Sequence, residues 1–250
     1  MNSLQHDVRG NILLDIDDAM IPNTNMNGVT PPIVQLKKLL HRLEKSNYRI
    51  VLVTGQPISV VEQVRQVIEM HAWACTEHGA LFYPNGNRHD MVNEETLQHY
   101  NPLRNRAIGM VTERGGSLDP SEVIVVGQMP HGTLRSTYEI LADDNVDHNC
   151  TPHDRRITIL PKGTTKGNIL KQLSEPVLVA AGDSGSDLPI LKASEFPIVT
   201  VQAGKAANAN LAEIVSEKQK GYVANENQPD GKGLYIGLMH AIAEGILNLR

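Results

Sequence analysis

Ile12-Leu13-Leu14-Asp15-Ile16-Asp17 near the N-terminus is an apolar run that ends in two aspartates. Far downstream, Val177-Leu178-Val179-Ala180-Ala181 leads in the same way into Gly182-Asp183-Ser184-Gly185-Ser186-Asp187. A parallel sheet lines up the carboxyl ends of its strands along one edge, where α/β folds bind ligands, so the two acidic clusters are expected to meet there. Converging carboxylates need a cation. Mg²⁺ suits them, because it takes hard oxygen ligands from one or two carboxylates and keeps positions open for water and a phosphate. A single Asp after a strand more often caps a helix or turn. Two clusters in matching positions favour a shared site.

Outward from these strands the chain alternates. Ile33, Leu36, Leu39, Leu40 and Leu43 recur at helical spacing behind Thr30 as N-cap and Pro31 in the first turn. Ile50-Val51-Leu52-Val53 is a continuous apolar run suited to a buried parallel strand and ends at Thr54-Gly55. Val60, Val61, Val64, Val67 and Ile68 mark the next helix, and Trp73-Ala74-Cys75 a further strand. Strand-helix alternation of this kind predicts a right-handed parallel sheet. From Tyr83 to Pro161 the pattern changes. This stretch is more polar, opens on Pro84-Asn85-Gly86-Asn87, and carries candidate helices at about 94–114 and 133–142 and candidate strands at Val123–Val126 and Ile157–Leu160. The parallel pattern resumes at Thr164 with a helix bearing Ile169, Leu170 and Leu173, followed by the strand before Asp183, another at Ile198–Val201, and a helix from about Gly233 to Leu249. The expected architecture is an α/β, Rossmann-like core made of 1–82 and 162–250, with 83–161 as an inserted α+β cap.

Composition narrows the function classes. The chain has 250 residues, 40% of them hydrophobic, with 23 basic against 28 acidic side chains and a formal net charge of −5. That balance disfavours nonspecific attraction to nucleic acid or to an anionic membrane. Cys75 and Cys150 are the only cysteines and form no CxxC, so neither a thiolate metal site nor a disulfide framework is indicated. The N-terminus is too polar for a signal peptide, and no apolar stretch approaches the ~20 residues of a membrane span. A cytoplasmic protein acting on a small molecule is the expectation, with its oligomeric state open.

Asp15/Asp17, Thr54, Lys166 and Asp183/Asp187 stand at the carboxyl ends of expected strands or at a helix start. Phosphoryl transfer needs such a set. Charge on the equatorial oxygens must be met by a cation, an ammonium and hydrogen-bond donors while a nucleophile attacks in line. The ordered set resembles the haloacid dehalogenase superfamily of phosphatases, in which a strand ends in DxDx(T/V), a second in Thr or Ser, a Lys opens a later helix, and a GDxxxD-type motif follows. There are 39 positions from Asp15 to Thr54 and 112 from Thr54 to Lys166, so an inserted domain fits only in the second interval. That arrangement is similar to the branch of sucrose-phosphate, trehalose-phosphate and mannosyl-3-phosphoglycerate phosphatases and the Cof-type sugar phosphatases. His78-Gly79-Ala80-Leu81 leading into the insert and Lys162-Gly163-Thr164-Thr165-Lys166-Gly167 leaving it match this branch too.

The resemblance implies Asp15 as the nucleophile that becomes an aspartyl-phosphate and Asp17 as the acid and then base. It implies that Thr54, Gly55 and Lys166 bind the phosphoryl group. For Mg²⁺ it implies Asp15, Asp17 through its backbone carbonyl, and Asp183, with Asp187 either a further ligand or the partner that orients Lys166. The implied substrate is a sugar phosphate or similar small phosphate ester. Two positions depart from the family pattern: Asp18-Ala19 stands where Gly-Thr is usual, and Gln56 where Arg is common. Both bear on activity or substrate, and Asp18 adds negative charge beside a site for a phosphate dianion.

Other motifs carry less. Asn23-Thr24-Asn25-Met26-Asn27-Gly28 imitates an EF-hand start, but its twelfth position is Val34. Lys162–Lys166 lacks the order of a Walker P-loop. Arg155 and Arg156 precede a strand of the insert and alternate in direction, so one of them is a candidate substrate contact and a solvated charge is the competing reading. His153 lies beside them. A phosphosugar mutase of the same superfamily, a receiver-like signalling domain and a catalytically weak phosphate-binding relic are the alternatives. Chain order and the large insert count against the receiver.

Overall fold

The computed structural model describes residues 8–22, 33–130, 147–151, 156–229 and 231–250, with the backbone alone at 147–151 and 156. The expected helix at 133–142, the proposed cap residues Thr30 and Pro31, and the Asn23–Gly28 turn lie outside the described residues.

Its main element is an eight-stranded sheet. In chain order the strands are β1 (Gly10–Leu14), β2 (Tyr48–Val53), β3 (Trp73–Thr76), β4 (Leu81–Tyr83), β5 (His89–Asp90), β10 (Val177–Gly182), β11 (Phe196–Val199) and β12 (Tyr222–Val223). Across the sheet they run β12-β11-β10-β1-β2-β3-β4-β5. All neighbours from β12 to β3 pair parallel, and β4 and β5 close the edge antiparallel. The chain first builds outward from β1 to one side and later to the other. The crevice beyond the carboxyl ends of β1 and β10 is therefore the topological switch point, the favoured ligand site of open α/β sheets.

Helices cover both faces, which is why the central strands read as unbroken apolar runs. Ile12, Leu14, Ile50 and Leu52 turn to one side and pack with α1 (Val34–Lys45), α2 (Ile58–Ile68) and α6 (Gly231–Ala243). Leu13, Val51, Val53 and Ala180 turn to the other, against α4 (Leu188–Ala193) and α5 (Ala209–Lys218).

Between β5 and β10 lies a second, antiparallel sheet with strand order β6-β7-β9-β8, made of β6 (Ser117–Leu118), β7 (Val125–Gln128), β8 (Asp147–Thr151) and β9 (Arg156–Leu160). The helix α3 (Glu94–Glu113) packs on it through Tyr100, Ala107 and Val111 against Val125, Ile157 and Ile159. Asn93 caps this helix, its side chain accepting the Thr96 N–H at 2.8 Å.

The fold class is α/β, as the alternating pattern predicts. Three local expectations are revised. The main sheet runs on to Asp90, beyond the expected start of the insert at Tyr83. The apolar run at Val123 enters β7 only at Val125, because the Val123 and Ile124 N–H groups go to a side chain and not to a ladder. The expected helix after Thr164 is a 3₁₀ stretch, Lys166–Gln172; Gly167 lowers α-propensity, and only a few residues separate the stretch from Pro176. The short strands β4, β5, β6, β8 and β12 and the helices α4 and α5 carried too little periodicity to read in advance.

Candidate active site

Four loops deliver the expected residues to one edge. Asp15 follows β1, Thr54 follows β2 and Asp183 follows β10, all parallel neighbours around the switch point. Lys166 comes from the 3₁₀ stretch and Asp187 from the turn after β10. Gly182 lets Asp187 fold back beneath the strand end, since a Cβ there would sit 2.3 Å from the Asp187 Cγ.

The centre is a buried charge cluster. Lys166 Nζ lies 2.8 Å from Asp15 Oδ1 and 2.7 Å from Asp187 Oδ1, and the three residues are 3%, 4% and 0% exposed. Asp15 Oδ1 also accepts the Ile16 N–H at 2.9 Å. The other oxygen of Asp187 takes the Ser184 N–H at 3.0 Å and the Ser184 hydroxyl at 2.8 Å, so both its oxygens are engaged within the protein. Asp15, Asp183 and Asp187 each offer an oxygen within 4.8 Å of the others.

Three carboxylates face one ammonium, and the proton affinities respond. Burial raises the Asp15 carboxyl well above its usual range, Asp187 adds to the rise and Lys166 opposes it. Burial, followed by the charge of Asp187, lifts Asp183 to about 7, with Asp18 adding to it and Lys166 pulling down. Burial works against the Lys166 charge, yet Asp15 and Asp187 outweigh it and hold the ammonium above the ordinary lysine range. The cluster thus has more negative charge to place than Lys166 can offset, which is the condition a divalent cation relieves. Cys75 is no rival nucleophile: burial pushes its thiol up to about 12.

Around the cluster the loops are cross-tied. Thr54 is fully buried, and its Oγ1 accepts the Gln56 N–H at 3.0 Å. Gln56 Nε2 donates to Asp17 Oδ2 at 2.7 Å, so the Asp17 carboxylate is held by the second loop. Asp18, in a left-handed conformation at φ 56°, accepts from Gln202 Nε2 at 3.0 Å. Gly55 lies against the His78 ring. Beside Lys166 a cavity of about 190 Å³ is lined by His78, Leu160, Thr164, Thr165, Gly185, Ser186 and Pro189, a mainly apolar wall that includes three hydroxyl-bearing residues. Arg155 lies outside the described residues, as does His153, and only the backbone of Arg156 is described.

Glu77 is a residue the sequence did not flag. It is fully buried, and its carboxylate accepts the N–H groups of Glu122, Val123 and Ile124 at 2.7, 2.8 and 3.1 Å. Its own N–H donates to Gln56 O, and His78 N–H to Thr54 O. One residue therefore joins the loop of Thr54 to the approach of β7. Nothing in the local string Glu77-His78-Gly79 announces this, because the partners lie about 45 residues away.

No protein-family model and no curated protein matches the sequence. Similarity appears at the level of structure, and the class it defines is the haloacid dehalogenase-type hydrolase fold. A haloacid dehalogenase-like hydrolase from Bacteroides thetaiotaomicron superposes with a TM-score of 0.68 at 14% identity, over 92% of this chain and 99% of the other. The C-terminal domain of trehalose-6-phosphate phosphatase from C. albicans gives 0.67 at 13% identity, over 94% and 92%. The sucrose-phosphatase of Synechocystis, solved with sucrose and phosphate, gives 0.59 at 15% identity, over 96% and 99%. More particularly, then, the chain shares its architecture along nearly its whole length with phosphatases of the superfamily. Among the described residues no helix is long and apolar enough to cross a membrane.

Proposed function

We propose that this chain is a Mg²⁺-dependent phosphatase that hydrolyses a phosphorylated sugar or a similar small metabolite through an aspartyl-phosphate on Asp15. The observation that carries the reading is the buried Asp15–Lys166–Asp187 cluster, with Thr54 and Asp183 on neighbouring loops of the switch-point edge.

The donor set fits magnesium. Asp15 and Asp183 would hold it, with the Asp17 carbonyl as a third oxygen, whereas Asp187, bonded to Lys166 and Ser184 at its two oxygens, is better read as the group that orients Lys166. When bound, the ion would neutralise charge on the transferring phosphoryl oxygens and keep Asp15 ionised.

The chain's own residues account for the rest of the reaction. Lys166 and the Ile16 N–H both fall on Oδ1 of Asp15, which leaves Oδ2 to attack phosphorus. A new Oδ2–P bond forms as the bond from phosphorus to the leaving oxygen breaks, and Asp17 gives that oxygen its proton. Thr54, whose hydroxyl oxygen already accepts from Gln56, retains its O–H to donate to the phosphoryl group alongside Lys166. Water then attacks the aspartyl-phosphate while Asp17 takes its proton, releasing inorganic phosphate and restoring Asp15.

We read the small sheet with α3, between β5 and the return at Pro161, as a cap that selects the substrate and excludes water, with Arg155 and Arg156 as candidate contacts. The cavity beside Lys166, with Thr164, Thr165 and Ser186 in its wall, offers room for the leaving group. A panel of sugar phosphates and other small phosphate esters, assayed for phosphate release with Mg²⁺ and again with excess EDTA, tests the reading. Mg²⁺-dependent release from sugar esters supports it, and no turnover across the panel overturns it; product analysis separates hydrolysis from mutase action.

A further inference from the structure

The reaction above leaves Gln56 without a part, although its side chain reaches into the site. Its backbone is fixed at both ends: the N–H donates to Thr54 Oγ1 at 3.0 Å and the carbonyl accepts from Glu77 N–H at 3.1 Å. The residue is 7% exposed, and from this stem its Nε2 donates to Asp17 Oδ2 at 2.7 Å. Asp17 itself sits half-buried in the turn after β1, whose backbone is ordered by the Asp17–Ile21 bridge and by N–H groups of Asp18, Met20 and Ile21 donating to Ile21 O and Ile16 O. A carboxylate on such a turn can rotate about two side-chain bonds. The amide holds Oδ2 toward the loop of Thr54 and so helps set the plane of the group.

We infer that Gln56 is a positioning residue for Asp17, acting through the Nε2 to Oδ2 bond; the inference rests on the reading of Asp17 as the group that hands the proton to the leaving oxygen. A neutral amide suits this place better than a guanidinium. It holds the carboxylate without a full positive charge, which would bind Asp17 as an ion-pair partner and favour its ionised form over the protonated acid. Because the same backbone segment carries Thr54, the bond also fixes Asp17 relative to the hydroxyl that donates a hydrogen bond to the phosphoryl group. Misplacement of a reacting group by about 1 Å costs up to about 100-fold, and general acid catalysis is worth about 100- to 10,000-fold, so loss of alignment should remove a measurable part of it.

The test must separate proton delivery from binding. Phenyl phosphate and p-nitrophenyl phosphate have similar shapes, but phenolate leaves poorly without a proton and p-nitrophenolate leaves well. The ratio of kcat/KM for phenyl phosphate to that for p-nitrophenyl phosphate therefore reports on Asp17 and is insensitive to a general loss of active protein. For the Mg²⁺-loaded enzyme, Q56L should lower this ratio about tenfold. Q56E, which keeps the length of the side chain but replaces the donor with an anion, should lower it further and serves equally if Q56L does not fold. D17N is the reference and should lower the ratio most. If D17N lowers the ratio while both Gln56 variants leave it at the wild-type value, the positioning role is wrong and the role of Asp17 stands. If D17N leaves the ratio unchanged, the acid role of Asp17 fails and the inference fails with it.

Discussion

Replacing Lys166 with Met removes the cation that, among the described residues, contacts Asp15 and Asp187, while keeping most of the side-chain volume. The two lost contacts, at 2.8 and 2.7 Å, are each worth about 6 kcal/mol in gross attraction at an effective dielectric of about 20. Much of this is offset, because the buried ammonium no longer has to be stripped of water. What remains is the cost of leaving two carboxylates, 4% and 0% exposed, without their partner, about 3–5 kcal/mol. The loss should be largest at pH 8 in EDTA. It should shrink as pH falls below about 7, where Asp183 takes up a proton and the cluster sheds charge. Turnover of every substrate should fall by about 100-fold or more, since a charge aimed at the phosphoryl group is gone. Urea denaturation at pH 8 and pH 5 in EDTA, with kcat on p-nitrophenyl phosphate in saturating Mg²⁺, measures both effects. A variant within about 1 kcal/mol of wild type at pH 8 and within tenfold in kcat would refute the reasoning.

Asp15→Asn should abolish turnover, since an amide cannot form the acyl-phosphate, and should move the melting midpoint by no more than about 4 °C; residual activity above a small fraction of wild type rules out Asp15 as nucleophile. Metal-free protein should lose stability as pH rises from about 4 to about 7. Folding raises the Asp183 carboxyl from 3.8 to about 7, so the folded state holds the extra proton across that window, a difference of at most about 4 kcal/mol. Melting curves in EDTA that stay flat or rise would contradict this, and added Mg²⁺ should flatten the slope. Glu77→Ala should cost about 3 kcal/mol by orphaning the N–H groups of Glu122, Val123 and Ile124, with a smaller loss for Glu77→Gln; a loss under 1 kcal/mol in urea denaturation would show that the carboxylate does not carry these bonds.

Much of the fold was legible because its signals are local. A buried parallel strand must be apolar on both faces, so Ile12–Leu14, Ile50–Val53 and Val177–Ala181 announced themselves, and each ends where the chain needs a polar residue at the sheet edge. The order of Asp15, Thr54, Lys166 and Asp183 along the sequence, with one long interval, likewise located the second sheet. Edge strands of two or three residues left no such trace, and neither did the shift from α to 3₁₀ geometry at Lys166.

Side-chain direction belongs to the tertiary structure. The sequence set Asp17 and Gln56 39 positions apart and said nothing of a bond between them; adjacent parallel strands make them neighbours. It raised Asp18 as a charge beside a phosphate site, and the left-handed turn at that residue gives its carboxylate to Gln202. It offered Asp187 two roles, and the fold bonds its oxygens to Lys166 and Ser184. The sequence by itself therefore determined which chemical groups reach the sheet edge, because hydrophobic periodicity fixes strands and strands fix their ends. Only the tertiary structure decided which group each of them faces, because a hydrogen bond depends on distances of a few ångströms between loops that the sequence holds far apart.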